Sequence, residues 1–375
     1  MLDILFVSPD LHRGGVGRCV SFVVDAPTAD GATVGLFLAR GRDDAYPVRN
    51  PRVMQALGVI ESSIGLLARL PYVAWRLYRT VKREQPKVVC THGLLCNAMI
   101  IPIKWLLGNR FRTVAFEHNS PSTHYATTRF GGLKRALLSY CYRRHDRIVG
   151  VSQGVTRDLE SMFPALRGRC HHIYNGISLE LVRQMVQVAA AMPVSPTFRI
   201  VALGRLVEAK DYPTLISAVA ILNDPEVVVD IIGDGPDRAL LEAQIAREPS
   251  QTKINFLGHL DNPFPNLESA DLFVLPSKRE SFGNVLVEAL ALGKPIVAAD
   301  CPSGPGEILD RGRYGVLVPV SDPAAMAAAF RRLIDDAPAR AKLAAGGPQR
   351  AADFSLESHC VAVFDLFRPL MKPSS

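Results

Sequence analysis

The sequence predicts an α/β protein made of two doubly wound, Rossmann-like domains, each with its own parallel β-sheet. The chain has 375 residues, of which 48% are hydrophobic, and this is more core than one domain of ~100–200 residues needs. Runs of Val, Ile and Leu alternate with helical patterns throughout, which is typical of parallel sheets covered by helices on both faces. Residues 187–197 combine two prolines with small side chains, which favours a linker. We therefore predict domains at residues 1–190 and 191–354, and a helix within residues 355–375 that packs back toward the first domain.

Ten strands are predicted from the apolar runs. They are residues 4–7, 33–37, 88–90, 113–116 and 147–151 in the first domain, and residues 199–203, 227–232, 255–257, 272–275 and 295–298 in the second. The segment Gly346-Gly347-Pro348 predicts a break before the terminal helix. Because open parallel sheets bind ligands outside the carboxyl ends of their strands, we expect a ligand in the cleft between the two domains.

The charge is distributed unevenly between the two halves. Residues 1–190 carry 25 Lys and Arg against 13 Asp and Glu, a net charge of +12, whereas residues 191–375 carry a net charge of −5. The basic half lacks the aromatic-rich signatures of RNA-binding domains and the Cys/His spacing of zinc fingers. We therefore predict no nucleic-acid partner. An anionic membrane surface or a phosphate-bearing substrate remains open for that half.

The cysteines and the apolar segments indicate a cytoplasmic protein. Seven cysteines without a Cys-x-x-Cys pair are typical of reduced thiols, so neither disulfides nor a zinc site is expected. The apolar run at the amino terminus is too short for a signal peptide. The most apolar stretch, residues 94–107, falls short of the ~20 residues that span a bilayer.

Two glycine turns follow predicted strands. In Gly14-Gly15-Val16-Gly17, the glycines would let the backbone approach a ligand at the start of a helix. Gly233-Asp234-Gly235-Pro236 is a second turn of this kind, with Pro236 placed to begin a helix. A tight turn from strand to helix needs glycine in any case, so both turns could be purely structural.

The segment from Gly204 to Tyr212 places two cations after a strand. Arg205 and Lys210 can converge on one anion at the carboxyl edge of a sheet, and a diphosphate is the natural ligand. The alternative is a pair of solvated surface charges.

The segment from Pro276 to Pro295 reads as the end of a strand, a loop, a helix and another strand. Glu280 would lie in the loop, and backbone amides near Gly283 and Asn284 would face an anion. Glu288 would project from the helix. Two carboxylates beside a phosphate site suit recognition of sugar or ribose hydroxyls, although a carboxylate on a helix is usually just solvated.

These segments resemble the motifs of the retaining, nucleotide-sugar-dependent glycosyltransferases of family 4, which have the GT-B fold of two Rossmann-like domains facing each other across a cleft. The stretch from Glu280 to Glu288 is similar to the Glu-x7-Glu signature of that family. Other matching segments follow in the family's order. They are Gly14-Gly15, Glu117-His118, residues 146–152, Asn175-Gly176-Ile177, Gly204-Arg205 with Lys210, and Gly233-Asp234-Gly235-Pro236.

The resemblance implies donor-binding roles for five residues of the second domain. Arg205 and Lys210 would hold the diphosphate of the donor and stabilise charge on the leaving nucleotide. Gly283 and Asn284 would present backbone amides near the sugar and phosphate. Glu288 would accept hydrogen bonds from the ribose hydroxyls.

The resemblance also implies two catalytic residues. Glu280 would bind the hydroxyls of the donor sugar, and His118 would lie beside the sugar ring. Gly14 and Gly15 would line the donor site. Many relatives have Asp after Asn-Gly-Ile where this chain has Ser178, so that position receives no role.

The family mechanism implied here is transfer with retention of the anomeric configuration, without a covalent enzyme nucleophile. The chain has no Asp-x-Asp motif to hold a divalent cation under a diphosphate. We therefore expect no metal and no cofactor besides the nucleotide-sugar co-substrate, a UDP-sugar.

In the family the first domain meets the acceptor, so its positive charge bears on acceptor type. Residues 67–83 and 129–144 alternate apolar side chains with Arg and Lys, a pattern that suits an anionic bilayer surface. A helix that merely covers a sheet is also amphipathic. We expect a lipid-linked sugar or growing polysaccharide as acceptor, and a peripheral location on the inner face of the cell membrane.

Two other enzyme classes and a catalytically silent subunit compete with this interpretation. An oxidoreductase should show Gly-x-Gly-x-x-Gly with an acidic residue ~20 positions on, and neither glycine turn does. A nucleotide-sugar epimerase of similar fold is the closer alternative. The intact motif set argues against a silent binding subunit.

Overall fold

The computed structural model describes residues 1–12, 15–28, 30–50, 52–59, 63–126, 131–188 and 197–372. The chain divides into two compact units: Met1–Gly176 together with Leu356–Ser375, and Ile177–Ser355. This division differs from the predicted boundary after residue 190. Most of the predicted linker, residues 189–196, and the predicted donor-site residue Gly14 lie outside the described residues.

The first unit is built on a seven-stranded sheet in which every pairing is parallel. Its strands are β1 (Ile4–Ser8), β2 (Val34–Gly41), β3 (Val53–Val59), β4 (Val88–His92), β5 (Arg112–Glu117), β6 (Arg147–Gly150) and β7 (Cys170–His172). Their spatial order is β3-β2-β1-β4-β5-β6-β7. The order reverses direction at β1, so β1 and β4 flank the point where ligands bind in such sheets.

Seven helices connect these strands in the described part of the unit. They are α1 (Gly15–Asp25), α2 (Ser63–Ala68), α3 (Leu70–Glu84), α4 (Gly93–Leu106), α5 (Pro121–Ala126), α6 (Gly131–Tyr142) and α7 (Gln153–Met162). Because side chains alternate along a strand, β1 separates two cores. Leu5 and Val7 pack with α3, α4 and α6 on one face of the sheet, and Ile4 and Phe6 pack with α1 on the other.

The second unit is built on a six-stranded parallel sheet of order β10-β9-β8-β11-β12-β13. Its helices and strands, in chain order, are α8 (Leu179–Gln187), β8 (Phe198–Leu203), α9 (Tyr212–Leu222), β9 (Val227–Ile232), α10 (Arg238–Arg247), β10 (Lys253–Gly258), α11 (Phe264–Glu268), β11 (Leu272–Leu275), α12 (Asn284–Ala291), β12 (Ile296–Ala299), α13 (Pro305–Ile308), β13 (Val316–Val318), α14 (Pro323–Asp335) and α15 (Ala337–Ala352). The terminal helix, α16 (Leu356–Met371), contributes Val363 and Phe367 to the core of the first unit.

The predicted fold class, two Rossmann-like parallel sheets in an α/β chain, is confirmed. All ten predicted strands are present, and the structure adds β3, β7 and β13. The strand β3 lies at the edge of its sheet and exposes most of its side chains, while β7 and β13 have three residues each. Such short or half-exposed segments lack the continuous apolar run that identifies a buried strand.

The predicted break at Gly346-Gly347-Pro348 is wrong, because α15 runs through it. Gly347 is needed there for packing rather than for a turn: a Cβ at this position would lie 2.7 Å from the carbonyl oxygen of Leu290 in α12. Among the described helices, none combines the length and the hydropathy that crossing a bilayer requires.

Candidate active site

The carboxyl ends of β8, β9 and β10 carry turns that are hydrogen-bonded to one another. The Gly204 amide donates to the Ile232 carbonyl at 2.9 Å, and the Gly233 amide donates to the Gly258 carbonyl at 2.7 Å. A Cβ at Gly233 would overlap the Gly204 carbonyl oxygen, and a Cβ at Gly235 would overlap the Leu206 carbonyl oxygen. The second glycine turn is therefore required by the close approach of two loops.

Lys210 and Glu280 form an ion pair beside these turns. Lys210 ends a short 3₁₀ turn after β8, and its ammonium donates to Oε1 of Glu280. The Ser277 hydroxyl donates to the same oxygen at 2.8 Å. The Glu280 side chain is 10% exposed and that of Lys210 is 21% exposed. Among the described residues, Oε2 of Glu280 has no hydrogen-bond donor.

Two further ion pairs join the segments that carry Lys210 and Glu280. Arg279 pairs with Glu208 and Lys278 pairs with Asp211, each at 3.1 Å. The amides of Lys278 and Arg279 both donate to the Ala209 carbonyl, at 2.9 and 3.2 Å. Residues 208–211 and 277–280 are therefore held together as one pair of loops, which we call the paired loops.

Asp211 is the most buried charged residue of the paired loops and is almost fully shielded from solvent. Its Oδ2 accepts hydrogen bonds from the hydroxyls of Thr214 and Ser321, both at 2.8 Å. Sequence reasoning missed the roles of Asp211, Lys278 and Arg279. The sequence did contain a signal for these pairs. The charged residues Glu208, Lys210 and Asp211 of one loop each have a partner of opposite charge in the other loop, namely Arg279, Glu280 and Lys278.

Arg205 lies on the same edge of the sheet and is exposed. Within the described part of the chain its guanidinium makes no hydrogen bond and no ion pair. The two predicted cations therefore differ in their pairing: Lys210 forms an ion pair with Glu280, and Arg205 forms none with a described residue.

The start of α12 presents the other predicted donor-site residues. Gly283 caps the helix in the left-handed region, with a φ of +101°, and Asn284 is the first helical residue. Phe282 is buried and packs edge-on against Phe354, with ring centroids 5.5 Å apart. Glu288 is only 6% exposed, which excludes the alternative of a solvated helix carboxylate.

The loop around Gly304 packs against the backbone just before α12. Gly304 has a φ of +91° and ψ of −75°, and a Cβ there would overlap the Phe282 carbonyl oxygen. Only glycine combines this backbone conformation with so close an approach. The position of Gly283 therefore depends on a residue 21 positions further along the sequence.

His118 belongs to the first unit and follows β5. Its Nε2 lies 2.9 Å from Nδ1 of His92, at the end of β4, and the two rings stack with centroids 5.2 Å apart. The buried Nδ1 of His118 has no hydrogen-bond partner among the described residues. Burial lowers the pKa of His118 to about 3 and that of His92 well below its ordinary value, so both rings are neutral at pH 7.

Glu117, next to His118, is fixed by its own partners. The Tyr142 hydroxyl donates to Oε2 of Glu117 at 2.5 Å, and the Asn119 amide donates to Oε1 at 2.9 Å. Burial raises the pKa of this carboxyl group. The carboxylate thereby ties the end of β5 to α6 and holds the backbone from which His118 projects.

The first glycine turn lies in the first unit as well. Gly15 begins α1, and a Cβ at Gly17 would overlap the carbonyl oxygen of His12. Gly17 is thus required by packing, and the proposed ligand role of Gly15 is separate from it. The described residues contain no group of three or more His, Cys, Asp or Glu side chains arranged to hold a metal ion.

Two family models match the chain in succession. Residues 13–181 match Glycosyltransferase Family 4, and residues 193–350 match Glycosyl transferases group 1. The chain belongs to the GT-B glycosyltransferases of the family 4 type. The resemblance seen in its motifs is therefore confirmed at the level of the family.

Curated relatives of this glycosyltransferase include bacterial enzymes of glycan assembly. The chain is 31% identical over 232 residues to the "N-acetylgalactosamine-N,N'-diacetylbacillosaminyl-diphospho-undecaprenol 4-alpha-N-acetylgalactosaminyltransferase" of Campylobacter jejuni, a match covering 62% of each chain. It is 31% identical over 198 residues to the "Lipopolysaccharide core biosynthesis glycosyltransferase LpsD" of Rhizobium meliloti, covering 50% of this chain and 57% of LpsD. The chain thus spans less than two thirds of either relative.

Solved structures share the fold of this glycosyltransferase. Anabaena Alr3699/HepE in complex with UDP has a TM-score of 0.79 at 20% identity, covering 98% of this chain and 100% of HepE. Sucrose-phosphate synthase from Thermosynechococcus elongatus has a TM-score of 0.80 at 20% identity, covering 98% and 99% of the two chains. These likenesses establish the fold alone.

Proposed function

We propose that this glycosyltransferase moves a sugar from a UDP-sugar to a hydroxyl of a lipid-linked sugar or growing polysaccharide, with retention and without a metal ion. The observation that carries the proposal is the paired loops, where Glu280 is held by Lys210 and Ser277 while Arg205 stays exposed beside them. HepE was solved with UDP, and the Campylobacter and Rhizobium relatives are named for a diphospho-undecaprenol glycan and for lipopolysaccharide core.

The predicted donor residues of the second unit have defined tasks in this proposal. Arg205 and Lys210 bind the diphosphate, and their charges stabilise it as it leaves, in the place of a divalent cation. Oε2 of Glu280 accepts a hydrogen bond from a sugar hydroxyl, since its Oε1 already has two donors. Glu288 accepts from the ribose hydroxyls, and the amides near Gly283 and Asn284 bind the donor.

His118 acts as a neutral hydrogen-bonding group. Its Nε2 is engaged with His92, so Nδ1 is the nitrogen left to contact the donor sugar. The leaving diphosphate itself assists removal of the proton from the acceptor hydroxyl on the same face of the sugar. A neutral imidazole suits this role because it can exchange a hydrogen bond with a sugar hydroxyl without carrying a charge.

Nucleotide release from a panel of nucleotide-sugars, measured with and without EDTA, tests the donor and the metal. We expect release from a UDP-sugar that EDTA does not reduce and that falls at least ~100-fold in Glu280→Ala and Lys210→Ala. Lys253→Ala, an exposed lysine on the far strand β10, is the matched control and should retain full release. Full turnover in both site variants would refute the assignment.

Product analysis separates transfer from epimerisation. Transfer frees the nucleotide and leaves an α-linked sugar on the acceptor when the donor sugar is α-linked, whereas an epimerase returns a nucleotide-sugar with altered stereochemistry. An altered sugar still attached to its nucleotide would replace the proposal by the epimerase alternative. An inverted linkage would contradict retention alone.

We propose further that the enzyme is cytoplasmic and binds the inner face of the cell membrane through its first unit. The outer side of α3 lines a cavity of about 490 Å³ with Arg76, Arg79, Lys82 and Arg83, and cations so clustered suit anionic headgroups. Sedimentation with neutral and anionic vesicles tests this. Equal binding to both at low salt would contradict it.

A further inference from the structure

An open groove of about 780 Å³ lies between helices α4 and α6 of the first unit. Its walls are apolar and aromatic: Ile101, Pro102 and Trp105 come from α4, and Leu137 and Tyr140 come from α6. Arg144, just after α6, and Lys104 on α4, which pairs with Asp146, also line the groove. None of the family motifs lies on α4.

The rim of the groove exposes large hydrophobic side chains to an unusual degree. Trp105 is 75% exposed, and Leu106 beside it and Leu133 on α6 are also mostly exposed. Packing against the sheet does not explain them, because Ile100 and Ile103 supply the buried side of α4. An exposed cluster of this kind marks a surface that is covered in the working state.

The charged side chains around the groove favour an anionic partner. Neither α4 nor α6 contains an acidic residue, and Arg143 and Arg144 follow α6 with exposed side chains. The Arg144 guanidinium lies over the Tyr140 ring, 3.6 Å from its centroid. Tryptophan, tyrosine and arginine at the edge of an apolar surface are the combination that suits the boundary between lipid chains and anionic headgroups.

A second copy of the chain fits this surface less well. In a two-fold symmetric contact each patch meets its own equivalent, so the cations around the two grooves would face one another without an acidic partner on α4 or α6. Anionic lipid supplies the missing negative charge together with the hydrocarbon.

We infer that the α4–α6 groove binds the hydrocarbon chain of an anionic membrane lipid, with Trp105 and Leu106 inserted into the bilayer and Arg144 at the headgroup phosphate. This inference rests on the proposed binding of the first unit to a membrane and gives that binding a specific site. It makes α4 the inserted element, whereas α3 contributes charge.

The two tryptophans of the chain, Trp75 and Trp105, allow a direct test. Trp75→Phe leaves Trp105 as the single fluorophore, and Trp105→Phe leaves Trp75 on α3. Each variant is mixed with phosphatidylglycerol vesicles whose acyl chains carry bromine, which quenches only fluorophores at the depth of the chains. We expect quenching of Trp105 by roughly half or more and a blue shift of its emission, as for a ring transferred into hydrocarbon.

A matched pair of substitutions tests the energetics. Trp105→Gln combined with Leu106→Gln should weaken vesicle binding roughly tenfold or more, because two large apolar side chains no longer enter the bilayer. Ile221→Gln combined with Leu240→Gln removes exposed apolar side chains from the second unit and should leave binding unchanged.

Three outcomes would overturn the inference: an unquenched Trp105 on vesicles that the protein binds, unchanged vesicle binding in the α4 double variant, or no binding to anionic vesicles at all. A wild-type dimer in light scattering that dissociates in the α4 variant would assign the groove to a second copy instead. Donor turnover by the wild-type enzyme, measured without vesicles, tests the transferase proposal separately, so the two failures are distinguishable.

Discussion

Lys210 and Glu280 meet through a single carboxylate oxygen, Oε1, which also accepts the hydroxyl hydrogen bond of Ser277. The cation proposed to bind the diphosphate is therefore already neutralised, and the carboxylate proposed to bind the sugar has one oxygen in use. The diphosphate of a donor must therefore bind Lys210 while Lys210 keeps its ion pair with Glu280. The ion pair thus couples recognition of the diphosphate to recognition of the sugar.

Graded substitutions should resolve this coupling. Glu280→Gln keeps the shape of the side chain but removes its charge, and we expect nucleotide release to fall about 10- to 100-fold with little loss of stability. Lys210→Met leaves a nearly buried carboxylate unpaired, and should cost about 3 kcal/mol of unfolding free energy in addition to activity. Ser277→Ala removes one hydrogen bond and should cost about 1 kcal/mol. Urea unfolding with turnover assays measures the series, and equal stability losses in Lys210→Met and Ser277→Ala would contradict it.

The two outer ion pairs of the paired loops should differ in strength. Asp211 is buried, so Lys278→Met should cost about 1–2 kcal/mol of unfolding free energy and raise the KM for the donor. Glu208 is largely exposed in its pair with Arg279, so Arg279→Met should cost about 0.5 kcal/mol or less. Chemical denaturation of both variants tests the order. A larger loss in Arg279→Met would show that burial does not govern these pairs.

Gly304 should tolerate substitution by alanine far less well than another glycine with a similar positive φ. Gly304→Ala combines the strain of a positive φ with overlap at the Phe282 carbonyl, and should cost about 3 kcal/mol or more and weaken donor binding. Gly312 has a φ of +96° but open space around it, so Gly312→Ala should cost about 1 kcal/mol. Thermal unfolding and calorimetric titration with UDP compare them. Equal effects would mean that the approach to Phe282 relaxes freely.

Buried histidines should make the fold sensitive to mild acid. Burial lowers the pKa of His145 from its ordinary 6.5 to about 4, despite the 3.0 Å contact of its Nε2 with the Asn97 carbonyl. The unfolded chain therefore takes up a proton first as pH falls, so the stabilising effect is complete above pH 6.5 and is lost toward pH 4. Between pH 6.5 and 5 this histidine should account for about 2 kcal/mol.

His145→Gln isolates that contribution, since glutamine can still donate to the Asn97 carbonyl but does not titrate. We expect its unfolding free energy to fall about 2 kcal/mol less than that of the wild type between pH 6.5 and 5. His259→Gln, at an exposed position, should follow the wild type. If His145→Gln and the wild type lose stability in parallel, the buried histidine is not the cause.

The sequence predicts those parts of the fold that rest on local patterns. Strands β9 and β11 have their predicted bounds because β11 is an unbroken apolar run and the run in β9 is interrupted only by Asp230. The edge strand β3 is paired on one side only and half exposed, so its apolar pattern is weak. At Gly347 the error is the opposite one, because the sequence predicts a break where the structure has a helix. Glycine disfavours helices, but its close approach to Leu290 requires it at this position of α15.

At the candidate site, residue types were predictable but their partners were not. The motif spacing identifies Lys210 and Glu280, yet their ion pair depends on how the loop after β8 meets the loop after β11. The contact between His92 and His118 likewise depends on β4 and β5 being neighbours in the sheet. These are long-range contacts, which propensity and periodicity along the chain do not encode.

The return of α16 to the first unit has a consequence for biosynthesis. The ribosome makes the seven strands of the first unit before the second unit, but Val363 and Phe367, which pack with Ile4 and Phe6 on β1, are made only after the second unit. The intervening residues, Ile177–Ser355, form a complete unit of their own before then. The nascent chain therefore carries an uncovered apolar face throughout the synthesis of the second unit, and the first-made domain can close its core only after that synthesis is complete.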